Sequence, residues 1–286
     1  TLIKELCYNR FMRQIFKKIF KILIYICAIV GFVFIIVFFG MQFGIFNVRG
    51  SNISRNASLG ITVNLPQDCT DSTEASCDWN KTEEWNVLST AFTKDSDTIN
   101  KVSTLTGVSS RMIIATVAPE QIRFFTSDRE KFKKVFEPLK IRISLSKFSL
   151  GISGIKQDTA NQIEQYANDP TSPFYPGKGF SDLIAYPLGV NHDTELYNRL
   201  TDEHNHYYSY LYTALFIKEI ESQWTQEGFD ITKTPGVIVT LFNIGFNESN
   251  PNPSPIIAGS SITLGNHTYT YGELGTLIYN SNELQN

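Results

Sequence analysis

Residues 111–123 read Arg111-Met-Ile-Ile-Ala-Thr-Val-Ala-Pro-Glu-Gln-Ile-Arg123, a short apolar helix that ends around a single acid. Ile113, Val117, Glu120 and Phe124 stand at i, i+4, i+7 and i+11, which is one face of a 3.6-residue period. A carboxylate on such a face loses hydration when ionised, so the neutral form gains and the group can hold a proton at neutral pH. A general acid that protonates a leaving glycosidic oxygen needs that property. Pro119 has no N–H and its ring crowds the preceding turn, so the helix is expected to break just before the acid. The plain alternative is a glutamate that closes a core helix and turns to solvent.

Outward from this stretch, charge and hydropathy divide the chain. Its 286 residues are 42% hydrophobic and 19% charged with a formal net charge of −3, which suits one sizeable domain with an appendage. Residues 1–21 hold Lys4, Arg10, Arg13, Lys17, Lys18 and Lys21 against Glu5, a local +5, while the remainder carries −8. An acidic remainder of this kind offers no nucleic-acid footprint, and no nucleic-acid partner is expected. From Ile22 to Phe46 no residue is charged. As a helix those residues reach about 37 Å, enough to cross a bilayer with some tilt. No small-x-small cleavage pattern follows, so an uncleaved anchor is expected. The basic cluster precedes it and only Arg49 and Arg55 lie close behind, which places the N-terminus in the cytoplasm and the rest outside the cytoplasmic membrane.

The remaining segments follow from composition and periodicity. Residues 47–84 are rich in Ser, Asn, Thr and Asp and read as an extracytoplasmic stem. Cys69 and Cys77 lie in it and could form a local disulfide in an oxidising compartment, whereas Cys7 and Cys27 belong to the anchor region. The domain proper is expected over 85–286. Trp85, Leu88 and Phe92, then Ile99, Val102 and Leu105, sit at helical spacings, and Gly107 reads as a C-cap before Ser109 and Ser110 start the Glu120 helix. Residues 129–140 form a basic helix-like segment anchored by Phe132 and Phe136. Asp158 reads as the N-cap of a helix carrying Ile163 and Tyr166. Residues 168–190 form a Pro- and Gly-rich loop of a length that is often functional. A strong helix runs from Tyr207 to Trp224, and 237–246 is a second buried helix ending in Asn-Ile-Gly. Ser261–Leu264 and 268–271 flank Gly265-Asn266 as a hairpin, followed by a closing helix over 272–279. His192, His204 and His206 invite a zinc reading, but no further ligand holds helical spacing with them; they are taken as polar or groove residues, with no metal expected.

Three of these segments, in this order, resemble the lytic transglycosylases related to goose-type lysozyme. Family members carry a helix of small and apolar residues that ends in a catalytic Glu followed by Ser; here Glu120 is followed by Gln121. A Gly-Leu-Met-Gln-Ile-Met-Pro-x-Thr-Ala signature comes next. Residues 151–160 match it at Gly151, Ile155, Thr159 and Ala160, with Gly154 at the family Gln and Gln157 at its Pro. The family Ala-Tyr-Asn-Ala-Gly stands here as Leu241-Phe-Asn-Ile-Gly245, with Phe242 at the Tyr. The match covers 107–246, and the anchor, stem, 168–200 insertion and tail lie outside it.

The resemblance implies a mainly α, lysozyme-like catalytic domain; with the hairpin and anchor read above, the expected fold is that domain with a small β-hairpin, preceded by one N-terminal transmembrane helix. It implies Glu120 as the catalytic acid, with Gln121, Ser149, Gly151, Ile152, Ser153, Gly154, Phe242 and Asn243 lining the glycan groove, and neither cofactor nor metal. The expected activity is cleavage of the glycosidic bond of peptidoglycan strands to a 1,6-anhydro end, by a protein in the cytoplasmic membrane. It could serve wall growth or an envelope-spanning secretion or division complex. A two-carboxylate glycosidase needs both acids beside the scissile bond. Asp128 and Asp158 read as a polar turn and a helix cap, so one acid working with the sugar's own C6 hydroxyl is expected. The competing expectations are a non-catalytic wall-binding or assembly protein on the same fold, and a metal-dependent hydrolase.

Overall fold

Every residue from Met112 to Ile122 is buried, so this stretch of the helix that carries Glu120 has no solvent face. A helical stretch buried on all sides belongs in the centre of a domain, surrounded by other elements. This computed structural model describes residues 2–42, 79–125, 149–264 and 267–283, and the chain divides into two units, Thr1–Val48 and Arg49–Asn286. Cys69, Cys77, Asp128, the 129–140 segment with Phe132 and Phe136, and residues 43–46 of the expected anchor lie outside the described residues.

In the first unit one unbroken helix, α1 (Leu2–Gln42), joins the basic residues to the apolar segment as far as Gln42. Its side chains described are Arg13, residues 16–33, Ile35 and Ile36, a stretch that includes Lys17, Lys18 and Lys21. Among the described residues no helix is long and apolar enough to cross a membrane. Apolar side chains from Ile22 to Ile36 are nonetheless uncovered, between 46% and 68% exposed.

The second unit is mainly helical. Its helices are α2 (Glu83–Lys94), α3 (Ser96–Thr106), α4 (Ser110–Phe125), α5 (Gln157–Asn168), α6 (Phe180–Leu183), α7 (His192–Thr201), α8 (Tyr207–Gln226), α9 (Pro235–Ile244) and α10 (Tyr271–Asn280). Two short antiparallel hairpins complete it, β1–β2 (Ser149–Leu150 with Ile155–Lys156) and β3–β4 (Ser261–Leu264 with His267–Thr270). The second hairpin pairs Ser261 with Thr270 and Leu264 with His267. Helix α4 packs against α2, α3, α8, α9 and α10, and α8 packs against α3, α5, α7 and α9. Trp85, Trp224, Tyr210, Tyr212, Tyr271 and Phe216 are the large side chains sealed between them.

Local chemistry fixes the element ends. Thr82 caps α2, its Oγ1 accepting from the Trp85 N–H at 3.3 Å, with Glu83 and Glu84 in the first turn where the helix dipole favours acids. Trp79 precedes it and meets Trp85 edge-on at 4.6 Å. Gly107 ends α3 at φ 74°, and Ser109 opens α4 by accepting from the Met112 N–H at 3.2 Å. Thr270 and Glu273 form a reciprocal capping box at α10.

Several sequence expectations shift. Pro119 does not end its helix, because α4 continues to Phe125; the dense packing on all sides holds the ladder together past the missing N–H. Leu105 is 42% exposed, and Thr106 takes the inward position instead. Helix α5 starts at Gln157, so Asp158 lies in its first turn rather than capping it.

The 168–200 insertion is braced. The Arg199 guanidinium donates to the Ile184 and Ala185 carbonyls at 2.7 and 2.9 Å. It lies over the Tyr186 and Tyr208 rings at 4.0 and 4.3 Å, a planar stack that suits arginine.

Candidate active site

Glu120 sits one and a half turns before the end of α4, with 4% of its surface exposed. The β1–β2 turn roofs it. Gly151 and Gly154 both take left-handed backbone conformations, at φ 59° and 66°, which glycine adopts without the Cβ penalty. A Cβ at Gly154 would lie 2.4 Å from Glu120 Cγ and 2.5 Å from Oε1. A Cβ at Gly151 would lie 1.8 Å from the Leu200 carbonyl oxygen. The two glycines therefore let main chain lie directly on the acid on one side and on the end of α7 on the other.

Gln121 holds this roof in place. Its side-chain amide donates to the Ile152 carbonyl, and both residues are buried. Its observed contact is with the roof, at the place where the family Ser would follow the acid. Ser153 is fully buried, and its hydroxyl has no hydrogen-bond partner. Ser149 pairs with Lys156 through the backbone of the hairpin.

The third expected segment reaches the acid indirectly. Asn243 Oδ1 accepts from the Ser260 N–H at 2.8 Å and from its hydroxyl at 3.0 Å. Gly259 fits between Asn243 and Tyr271, since a Cβ there would lie 2.9 Å from each. Tyr271, fully buried at the start of α10, donates to the Thr116 carbonyl at 3.2 Å, one turn before Glu120. Burial first, and the negative charge of Glu120 second, raise the Tyr271 phenol well above its ordinary pKa, so it stays a neutral donor. Phe242 packs edge-on against Phe216 at 5.1 Å, and Gly245 caps α9 by donating to the Leu241 carbonyl at 2.8 Å.

The acid also has a charged partner on its own helix. Arg123, one turn on, places Nη2 2.6 Å from Glu120 Oε1, with side-chain exposures of 27% and 5%. Burial works against the guanidinium charge, but the Glu120 carboxylate outweighs it through charge and hydrogen bond, so the Arg123 pKa is raised. The i,i+3 spacing of acid and base was visible in the chain. Tyr271 and Ser260 carried no comparable signal, because they come from the tail beyond the matched segments.

Three other polar clusters lie elsewhere. Glu164 accepts from the Tyr186 hydroxyl at 2.5 Å, from the Tyr212 hydroxyl, and meets His192 Nε2 at 2.5 Å. The bond to Glu164 raises the His192 pKa. His206 Nδ1 meets Asp95 at 2.6 Å, and the Tyr210 hydroxyl donates to the same oxygen at 2.8 Å. Glu219 on α8 is fully buried with neither carboxyl oxygen partnered, and burial raises its pKa well above the ordinary range. Among the described residues no group of three or more His, Cys, Asp or Glu side chains is placed to hold a metal ion.

Comparison of the chain with protein-family models, with curated proteins and with solved structures gave no match in any of the three.

Proposed function

We propose that the chain is a membrane-anchored enzyme that cleaves peptidoglycan glycan strands by the transglycosylase route, with Glu120 as its acid. The observation that carries this is the convergence on Glu120 of the segments named from the sequence. The 151–154 turn lies on the carboxyl group, Gln121 ties the turn to α4, and the Asn243–Ser260 contact leads through Gly259 to Tyr271 behind the acid.

In the proposed reaction Glu120 gives its proton to the leaving glycosidic oxygen. The resulting carboxylate then takes a proton from the C6 hydroxyl of the same sugar, whose oxygen closes on C1. A tethered nucleophile has an entropic advantage over a free water, so no second carboxylate is required. Buried Glu219 has no part in this, since it is sealed away from any ligand.

The anchor is proposed on the same footing. Helix α1 runs without interruption from the basic segment to Gln42, and consecutive apolar residues from Ile22 to Ile26 are uncovered on every face, a surface that lipid tails would cover. The N-terminal basic residues would then remain on the cytoplasmic side.

The test is digestion of purified cell-wall sacculi by the full chain in detergent, followed by product analysis. Release of 1,6-anhydro muropeptides supports the proposal, and release of reducing ends alone overturns the mechanism. A second reading, a non-catalytic wall-binding or assembly protein, is favoured by the Glu120–Arg123 ion pair, since a guanidinium stabilises the carboxylate rather than the acid. Saturable binding to sacculi without soluble products would establish that reading instead.

A further inference from the structure

Four donor groups from four separate segments meet at Glu164 on α5. Its Oε1 accepts from the Tyr186 hydroxyl of the insertion at 2.5 Å and from the Tyr212 hydroxyl of α8. Its Oε2 meets Nε2 of His192, the first residue of α7, at 2.5 Å. The two phenol oxygens stand 3.3 Å apart. Oxygen and nitrogen ligands of a first-row metal ion, held by bonds of about 2.0–2.2 Å at right angles, lie about 3 Å from one another. Donors at this mutual spacing close on one ion by small side-chain rotations. Helical spacing along the chain offered His192 no further ligand, whereas the fold brings it a carboxylate and two phenols from other segments.

We propose that Glu164, Tyr186, Tyr212 and His192 form a binding site for ferric iron. The donor chemistry selects the ion. One carboxylate and two phenolates are hard oxygen ligands that carry three negative charges, and a neutral imidazole nitrogen completes a set that iron accepts. The charges of ligands and ion then sum to zero, which matters because Tyr212 is sealed from solvent. A divalent ion would leave one negative charge uncompensated there. Burial keeps both phenols protonated in the hydrogen-bonded cluster, so binding releases two protons to solvent.

The surroundings match those of a metal site. His192 Nδ1 meets Asp193 Oδ1 at 3.3 Å, and a carboxylate at the far ring nitrogen is the usual support of a metal-bound imidazole. The Arg199 guanidinium clamps the Tyr186 ring from 4.0 Å, and its own donors are turned to the Ile184 and Ala185 carbonyls and to Glu195. His192 is 45% exposed and Glu164 12%, which gives an ion a path in from the surface. None of the residues assigned to glycan cleavage takes part, so this site stands or falls apart from that reading.

The experiment adds ferric nitrilotriacetate to the full chain in detergent and reads visible absorption, bound iron and thermal melting. The wild type should bind one iron per chain, gain a phenolate-to-iron charge-transfer absorption and melt at a higher temperature. Tyr186→Phe and Tyr212→Phe should each weaken the absorption, and the two together should abolish it. Glu164→Gln and His192→Gln should weaken iron binding by at least the roughly 10–100-fold that loss of an outer-shell partner costs. Tyr210→Phe, in the separate cluster with Asp95 and His206, should change neither absorption nor affinity. No absorption in the wild type, absorption that survives the double Tyr→Phe change, or absorption lost in Tyr210→Phe overturns the site. Equal iron binding by Glu164→Gln and the wild type shows an adventitious ion only and overturns it as well. Stabilisation by zinc chloride but not by iron overturns the choice of a trivalent ion. Should the Tyr212→Phe variants fail to fold, exposed His192→Gln decides, and unchanged iron affinity in it overturns the proposal.

Discussion

Two of the buried glutamates, Glu120 and Glu219, stand in contrast to one another. Glu120 on α4 is 4% exposed and faces a guanidinium at 2.6 Å. Glu219 on α8 is 0% exposed and, among the described residues, has no hydrogen-bond partner for either oxygen. Burial alone would make both of them neutral acids. Only Glu219 meets that condition in full, yet it is closed in by the core and near Tyr166, whose phenol is raised by burial first and by Glu219 second. Glu120 has a partly exposed neighbour, Arg123. An acid that works on a substrate needs a route for the ligand and a proton that can be exchanged, and deep burial provides neither.

The comparison breaks most sharply at activity. Glu120→Gln keeps size and hydrogen bonding but has no proton to give, so sacculus digestion should fall by about 10²-fold or more. Glu219→Gln should leave digestion within about threefold, because no ligand reaches that position. The reverse order in the same assay would exchange the roles assigned to the two residues.

Gly154→Ala probes the roof over Glu120. Its Cβ would press on the Glu120 side chain, 2.4 Å from Cγ and 2.5 Å from Oε1, in a left-handed backbone, and a loss of about 2–3 kcal/mol of unfolding free energy is expected. Gly228→Ala is the control, with φ 86° and open space around it, and should lose only about 1 kcal/mol. Denaturant unfolding of the two variants side by side measures the difference, and equal losses would remove the roof from the account.

Glu219 sets the next effect. Its folded pKa lies well above the unfolded value of about 4.3. Its stability contribution is therefore complete below that value and is lost as pH rises towards the folded pKa. Glu219→Gln should flatten this part of the stability–pH curve, and Glu219→Met should raise unfolding free energy at pH 8 by about 1–3 kcal/mol. A wild-type stability that climbs between pH 5 and 8, with no change in slope in the Gln variant, would contradict the assignment.

The smallest effect belongs to His192, which is paired with Glu164 and 45% exposed. Its pKa is raised, first by the hydrogen bond to Glu164. Its contribution is complete below about pH 6.5 and fades as pH rises through the folded value, weakened by solvent screening. His192→Gln should reduce stability slightly at pH 5.5 and hardly at all at pH 8, as thermal melts at the two pH values will show.

What the sequence disclosed tracks periodicity and local chemistry. The helices around Trp85, Ile99 and Leu211, the Gly107 cap and the closing hairpin follow from spacing and turn residues, all of which act over a few positions. Pro119 misled because its local effect is outweighed by a helix buried on every side. Arg123 stood three residues from Glu120, yet the apolar periodicity drew attention to the acid alone. Glu219 lies among Leu215, Phe216, Ile217 and Ile220 in an otherwise apolar helix; that placement was a signal of a sealed carboxyl. Tyr271 and Ser260 were out of reach, because their position behind the acid depends on how the tail folds back across more than a hundred residues of chain.

The brace at Arg199 has a practical consequence for where this domain can be divided. On one side of the insertion, Ser222 and Gln226 hold the carbonyls of Tyr175 and Pro173 at 2.7 and 3.1 Å. On the other, Arg199 holds those of Ile184 and Ala185. Lys178 lies exposed between these two anchorages, so a tryptic nick there would leave each new end already tied down. The halves would remain associated and could be supplied as separate polypeptides, which makes residues 177–179 the natural breakpoint for a split, reconstitutable version of the protein.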